Sequence, residues 1–445
     1  NSVQLLCLSC HKISPNRRTP TTHLHIGAAS KHKCKNRNLS GKGPPTQKSE
    51  ALLFLDPPVF SQDGGSVIMT NFRELRRVYG FDEVAIAPGS VTVNPEMVNT
   101  EFSVGNVTTD IPVLGSAMDA VASPAFAGEM HRQGALSVMN LEGVQTRYDN
   151  PQESIEEIAA ASRENVTTVM QRVYSEPIKE SLIGERVEEI KKTGAYCAVS
   201  ITPAFTKKFG PLAVEAGADM LVVQSTVTTA RHSSTSTKGL QFPQLLEMVN
   251  VPVLVGNCVG YDVATEIMET GIHGLLVGVG PGAACTTREV TGVGVPQVTA
   301  TMDCAQARDD YFNSSGRYVP IITDGGIRTG GELCKAIASG ADAVMIGTPL
   351  AQSVEAPAKG YNWGMASPHP ALPRGTRVEV GTKGTLEQLF FGPSSVSNGT
   401  QNLIGALKAC MGMVGAMNVK EMHSAEIVIA PSIKTEGKHY QLGLG

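Results

Sequence analysis

VPIITDGGIRTGGELCKAIASGADAVMIG, residues 319–347, holds two short apolar runs around a segment with helical period. The runs are VPIITDGG (319–326) and ADAVMIG (341–347). Between them, Thr329-Gly-Gly-Glu332 reads as a capping box: the threonine accepts from a backbone N–H and the glutamate reaches back. Leu333 and Ile337 fall on one face, and Gly340 is placed to end the helix. Continuous apolar runs of this length suit strands buried on both faces, as in a parallel sheet. The stretch is therefore a strand–helix–strand unit.

The same unit recurs on both sides. IPVLGSA (111–117), ALSVMN (135–140), YCAVSIT (196–202), ADMLVVQS (218–225), VPVLVGN (251–257) and HGLLVGVG (273–280) precede it. Asp262 through Thr270 repeats the helical pattern, with Val263 and Ile267 inward and Gly271 as terminator. Eight such units predict a TIM (β/α)8 barrel, an α/β fold, as a single catalytic domain. In that fold chemistry sits at the carboxyl ends of the strands. Ser116, Asn257, the Gly278–Cys285 loop, Asp324 and Gly347 all fall at such ends, so they are expected to share one mouth.

Composition narrows the class. The chain has 445 residues, 41% hydrophobic, with 46 glycines and one tryptophan, enough for one large domain or two ordinary ones. Residues 1–50 carry nine Lys/Arg against Glu50 alone, a balance of +8, which leaves −12 on the rest. An acidic body argues against nucleic acid as a partner. No apolar run approaches the ~18 residues of a membrane span. Nine cysteines without framework spacing suit a reducing compartment.

Residues 1–68 are basic, rich in Ser, Thr and Pro, and aperiodic. They read as a disordered leader: a transit peptide, or translated upstream sequence with Met69 as the true start. The expected location is cytoplasmic, or plastid if the leader is a transit peptide. Cys7-Leu-Ser-Cys10-His11 fits a haem-attachment pattern, and Cys7, Cys10, His23, His25, His32 and Cys34 suggest a zinc set. Neither has a folded context, so a removable leader is preferred. His131 and His273 lack metal-ligand spacing and read as structural.

The chemistry concentrates around GVGPGAACTTREVTGVGVPQ (278–297). Gly278, Gly280 and Gly282 let the backbone turn carbonyls toward a cation or N–H groups toward an anion. Cys285 in that loop is either a nucleophile or a structural thiol in a tight turn, and Thr287 is placed to hold or deprotonate a water. Asp324 can accept from the two hydroxyls of a ribose, or can be a helix cap. Gly347-Thr348 follows the eighth strand, and the loops after strands seven and eight are the habitual phosphate site of this fold. Met365, in Gly364-Met365-Ala366-Ser367, could pack on a flat heterocycle, or be ordinary core. PHPALPRGTRVEVGTKG (368–384) reads as a lid or as a solvated loop.

Taken together, the cysteine loop with its following GVGVPQ, the Asp-Gly-Gly and the Gly-Met-Ala-Ser resemble the inosine monophosphate dehydrogenase / guanosine monophosphate reductase family, from roughly Phe72 to Tyr440. The resemblance implies a (β/α)8 homotetramer acting on IMP, with NAD and potassium. It implies that Cys285 attacks C2 of the purine, hydride leaves to nicotinamide, and a water positioned by Thr287 hydrolyses the intermediate. Asp324 would bind the ribose, and Gly326, Gly347 and Thr348 the phosphate. Ser116, Met118, Met365 and Ala366 would line the nucleotide pocket. Gln224, Ser225, Asn257 and Gly278 would lie by the dinucleotide. Carbonyls of Gly280, Gly282 and Cys285 would cradle potassium, joined by Glu436 and Gly437 from a neighbouring subunit.

The chain departs from the family pattern in several places. A phosphate-donating serine is replaced by Ala283 in the nucleotide pocket. An aspartate at the end of the fourth strand is replaced by Gln224, and an arginine in the sixth strand by Leu276. The Arg-Tyr dipeptide is missing from the flap. Only about 55 residues separate the second and third strands, too few for a CBS regulatory pair. Gly280-Pro281-Gly282 before the cysteine, and Cys285-Thr286-Thr287-Arg288 with Thr291-Gly292-Val293-Gly294 after it, read more like the reductases. Where a reductase needs a flap glutamate, however, the chain has Arg374-Gly375, ahead of Val378-Glu379-Val380. Arginine keeps its proton at neutral pH, so Arg374 favours water activation, with Arg377 as second choice. The expected activity is oxidation of IMP to XMP with NAD. The alternatives are GMP reductase, a non-catalytic nucleotide-binding relative and, more distantly, a flavin-binding barrel.

Overall fold

The structure is a computed structural model that describes residues 75–233, 239–365 and 376–430. These fall in one unit of the chain, Glu74–Gly445. The leader and its Cys/His patterns, the flap tip with Ala366 and Arg374, and Glu436 and Gly437 lie outside the described residues.

Eight parallel strands close into a barrel. In chain order they are β1 (Val113–Gly115), β2 (Leu136–Asn140), β3 (Ala198–Ile201), β4 (Met220–Gln224), β5 (Val253–Cys258), β6 (Gly274–Val277), β7 (Ile321–Asp324) and β8 (Ala343–Ile346). Seven lie inside a predicted run, and β5 overruns its run (251–257) by one residue, Cys258. The ring closes where β8 pairs with β1, Met345 opposite Leu114. Period-two alternation divides the apolar side chains. Leu114, Val138, Met220, Val222, Leu254, Leu276, Ile322 and Met345 fill the barrel interior. Val113, Val199, Leu221, Val255, Val277, Ile321 and Val344 face outward into the helical shell. Both faces are thus dry, which is why the strands read as unbroken apolar runs.

The helix between β7 and β8, Gly330–Ala338, forms as its sequence dictates. The Glu332 N–H donates to Thr329 Oγ1 (3.3 Å), and the Thr329 N–H donates back to Glu332 Oε2 (3.1 Å). Leu333 and Ile337 are fully buried, and Gly340 turns the chain at φ +103°. The segment between β2 and β3 holds three helices, Pro151–Ala160, Val166–Val173 and Glu180–Lys192, with no room for a further domain. A hairpin ahead of the barrel, Phe102–Val104 paired with Val107–Thr109, sends Phe102, Val104 and Val107 into the same cluster as the barrel interior. It closes the amino-terminal floor, so the open cavity is at the other end. Among the described residues no helix is long and apolar enough to cross a membrane.

Candidate active site

The loops at the carboxyl ends of the strands enclose a cavity of about 890 Å³. Ser116 and Met118 follow β1, Gln224 and Ser225 end β4, and Asn257 lies near the end of β5. Gly278, Gly280, Gly282, Ala283, Cys285 and Thr287 come from the loop after β6. Asp324 and Gly326 end β7, Gly347 and Thr348 follow β8, and Met365 reaches in from the base of the flap. Every predicted site residue within the described segments except Arg377 therefore lines one cavity.

Cys285 sits just before the short helix Thr287–Thr291, in a turn closed by its own N–H donating to the Gly282 carbonyl (3.0 Å). Its Sγ donates to Thr287 Oγ1 at 3.2 Å. The loop is stitched from behind by Arg288, whose Nε donates to the Val279 carbonyl (3.1 Å) and Nη2 to that of Val295 (2.7 Å). Burial pushes the Arg288 guanidinium below its ordinary value, while the neighbouring Cys285 and Glu289 act the other way. Gly278 must be glycine here. It holds φ +148°, and a Cβ would lie 2.4 Å from the Asp324 carbonyl oxygen. The Gln297 side-chain amide fills the same corner, donating to the carbonyls of Val277 (2.7 Å) and Asp324 (3.1 Å).

Asp324 is gripped by two amides on one oxygen. Gln224 Nε2 and Asn257 Nδ2 each donate to its Oδ2 at 2.8 Å, and Gln224 Nε2 also donates to Asn257 Oδ1 (2.9 Å). Burial pushes the Asp324 carboxyl up to about 6, with the two amide donors opposing the shift. Gln224 lines the cavity, yet its N–H₂ is spent on Asp324 and Asn257. Gly347 gives close approach on the opposite wall, where a Cβ would meet Met118 Sδ at 2.9 Å. Met365 Sδ accepts from the Tyr174 hydroxyl (3.3 Å), which also bonds Asp119 and Trp363. Met365 is thus held at the wall of the pocket instead of being buried in the core.

One expectation changes. Arg377, the second choice for activating water, turns away from the cavity. Its guanidinium donates to the carbonyls of Ile158 (2.8 Å) and Ala159 (2.6 Å) and stacks over the Tyr361 ring. It anchors the flap's base, the antiparallel pair Tyr361–Trp363 and Arg377–Glu379. Leu276 lies inside the barrel against Gly256, below the mouth. Residues not named as site residues in the sequence also line the cavity, among them Glu142, Arg288 and Gln297. Arg288 and Gln297 lay within the quoted loop 278–297; Glu142 carried no sequence signal. No cluster of three metal-ligating side chains occurs among the described residues, so a cation at this loop would be held by backbone carbonyls.

A (β/α)8 barrel with a cysteine loop, a gripped carboxylate and glycine-lined turns after β7 and β8 defines a nucleotide-sized enzyme site. The chain belongs to the IMP dehydrogenase / GMP reductase family, matching that domain over residues 78–438. It is similar to an uncharacterized oxidoreductase of Mycolicibacterium smegmatis, 37% identical over 80% of this chain and 98% of the relative. It is also similar to an inosine-5'-monophosphate dehydrogenase of Cryptosporidium parvum, 29% identical over 77% and 89%. Among solved structures, an IMP dehydrogenase/GMP reductase-like protein from Corynebacterium glutamicum superposes with a TM-score of 0.77 and 34% identity, covering 81% of this chain and 97% of that one. The protein is an oxidoreductase of this family.

Proposed function

We propose that the protein oxidises IMP to XMP, with water as the oxygen source and NAD as the oxidant, through a covalent bond at Cys285. The carrying observation is the Cys285–Thr287 pair at 3.2 Å within the cavity that also presents Asp324. Asp324, held by Gln224 and Asn257, accepts from the ribose hydroxyls. Gly326, Gly347 and Thr348 take the phosphate by backbone N–H and hydroxyl donors, and Ser116, Met118, Ala283, Met365 and Ala366 surround the rest of the nucleotide. Cys285 Sγ bonds C2 of the purine, and its proton is relayed through the Thr287 hydroxyl to solvent. A nicotinamide dinucleotide bound beside the purine, at the ends of β3 to β5, would supply the oxidising power by taking up the hydride from C2. Water then attacks the same carbon, the carbon–sulfur bond breaks, and the thiol is restored with XMP free. The cavity volume, at the upper end for single-ligand pockets, and the polar ends of β3 to β5 fit a second ligand beside the first.

Arg374 orients the attacking water. It stands two residues before Thr376, whose N–H faces the Ala284 carbonyl at 3.5 Å. Arg374→Ala should lower turnover at least tenfold while covalent labelling of Cys285 by IMP persists; full turnover would remove that assignment. Carbonyls of Gly280, Gly282 and Cys285 would hold potassium, with Glu436 and Gly437 contributed by a neighbouring subunit of a homotetramer. Activity should therefore fall when sodium replaces potassium.

A second reading, reduction of GMP with NADPH, draws on Gly280-Pro281-Gly282 but needs a proton donor for the leaving amine, which Arg374 is unfit to be. One paired assay separates the two. Absorbance at 340 nm rising with IMP and NAD supports the dehydrogenase; falling with GMP and NADPH overturns it.

A further inference from the structure

The cavity has two chemically different halves. The ends of β7, β8 and β1 supply Asp324, the glycine turns and Ser116, and take the nucleotide in the reading above. The ends of β2 to β5 supply Asn140, Glu142, Ser200, Thr202, Gln224 and Asn257. Of the described residues lining this second half, Glu142 alone carries a charge.

Glu142 is built into place. Its N–H donates to Asn140 Oδ1 (2.8 Å), and its carbonyl accepts from Arg147 Nε (3.0 Å). Next to it, the Leu141 N–H donates to the Ser200 carbonyl (2.9 Å). The residue is only 8% exposed. Its Oε1 accepts the Thr202 N–H (2.6 Å) at the start of helix Pro203–Glu215. Its Oε2 has no hydrogen-bond partner among the described residues, and no described cation is paired with the carboxylate. A carboxylate drawn this far out of water requires donors. One oxygen has found its donor in the protein; the other has none among the described residues, on a side chain that lines the cavity.

Position 224 is the complement of this observation. Its amide is committed to Asp324 and Asn257, so it offers no charged acceptor to a second ligand. We propose that Glu142 accepts hydrogen bonds from the sugar hydroxyls of the second ligand, a nicotinamide dinucleotide, and anchors it across the ends of β2 to β4. This rests on the proposed function for there being a dinucleotide at all, and its test is made independent of turnover.

The test titrates reduced dinucleotide fluorescence on the full-length protein with IMP present, for the wild type, Glu142→Gln and Glu142→Ala. Glutamine keeps an oxygen for the Thr202 N–H and removes the charge. Losing a charged hydrogen bond should weaken NADH binding on the order of tenfold. Protection of Cys285 from alkylation by IMP should change less than about threefold, within the usual spread for an untouched site. Three results overturn the assignment. The first is Glu142→Gln binding NADH as the wild type does while Glu142→Ala loses thermal stability, which makes the residue a prop for the helix. The second is turnover falling at unchanged NADH affinity, which makes it a proton donor. The third is wild-type protein binding neither NADH nor NADPH. If the paired assay instead shows GMP reduction, the catalytic reading fails alone. Glu142 is then judged by the same titration with NADPH.

Discussion

At Asp324 the chain accepts a cost to present one free oxygen. Two neutral amides converge on Oδ2, which leaves Oδ1 for a ligand. Burial makes the ionised form expensive and lifts the carboxyl to about 6, while the amides restrain the rise. Ribose hydroxyls are donors, so the competent form is the carboxylate. The value of kcat/KM for IMP should therefore fall on the acid side with an apparent pKa near 6, and Asp324→Asn should lose this limb together with at least about tenfold in kcat/KM. Stability carries the opposite sign. A carboxyl raised above its unfolded value near 3.9 favours the fold below that value and loses its contribution as pH rises through about 6. Thermal melts should then show Asp324→Asn more stable than wild type at pH 8, with the gap closing toward pH 4. Gln224→Glu sets a carboxylate in contact with Asp324 at the present 2.8 Å separation. The pair should share a proton at neutral pH, and IMP protection of Cys285 should weaken.

Between strands, function depends on loops whose shape the strands do not determine. The eight strands were legible because burial on both faces leaves an unbroken apolar signature. Helix Gly330–Ala338 was legible because Thr329 and Glu332 form a local pair. Arg288 shows the limit. From sequence it is one basic residue after two threonines; in the fold it crosses its own loop to bond carbonyls at Val279 and Val295. Glu142 is hidden for the same reason, because its partner Thr202 is 60 positions away. Arg377 misled because a basic residue near a flap looks catalytic until its distant acceptors, Ile158 and Ala159, are known. Arg288→Met should free the cysteine loop at its back. Turnover should drop ten- to a hundredfold, as misplacement of a reacting group by about an ångström does. The melting temperature should move little, since two hydrogen bonds contribute roughly 1–3 kcal/mol.

Across the whole barrel, stability and chemistry sit at opposite ends. The mouth carries Cys285 and Glu142 on loops and Asp324 at the end of β7; the floor carries Phe102, Val104 and Val107 on a hairpin that completes the interior core. The hairpin escaped the sequence reading because its strands are only three residues each, each with one side chain facing water. Its alternation nevertheless matches the outcome: Phe102, Val104 and Val107 are buried, and Ser103 and Thr108 are exposed. The ring of strands stands between this plug and the cavity. Phe102→Ala should therefore cost about 3–5 kcal/mol by opening a void under the barrel, lowering the melting temperature by several degrees. At permissive temperature KM for IMP and alkylation of Cys285 should stay at wild-type values. Cys285→Ser should do the converse, abolishing covalent turnover with the melt unchanged. A Phe102→Ala protein that lost IMP affinity while still folded would mean that floor and mouth are coupled through the barrel interior, against the division argued here.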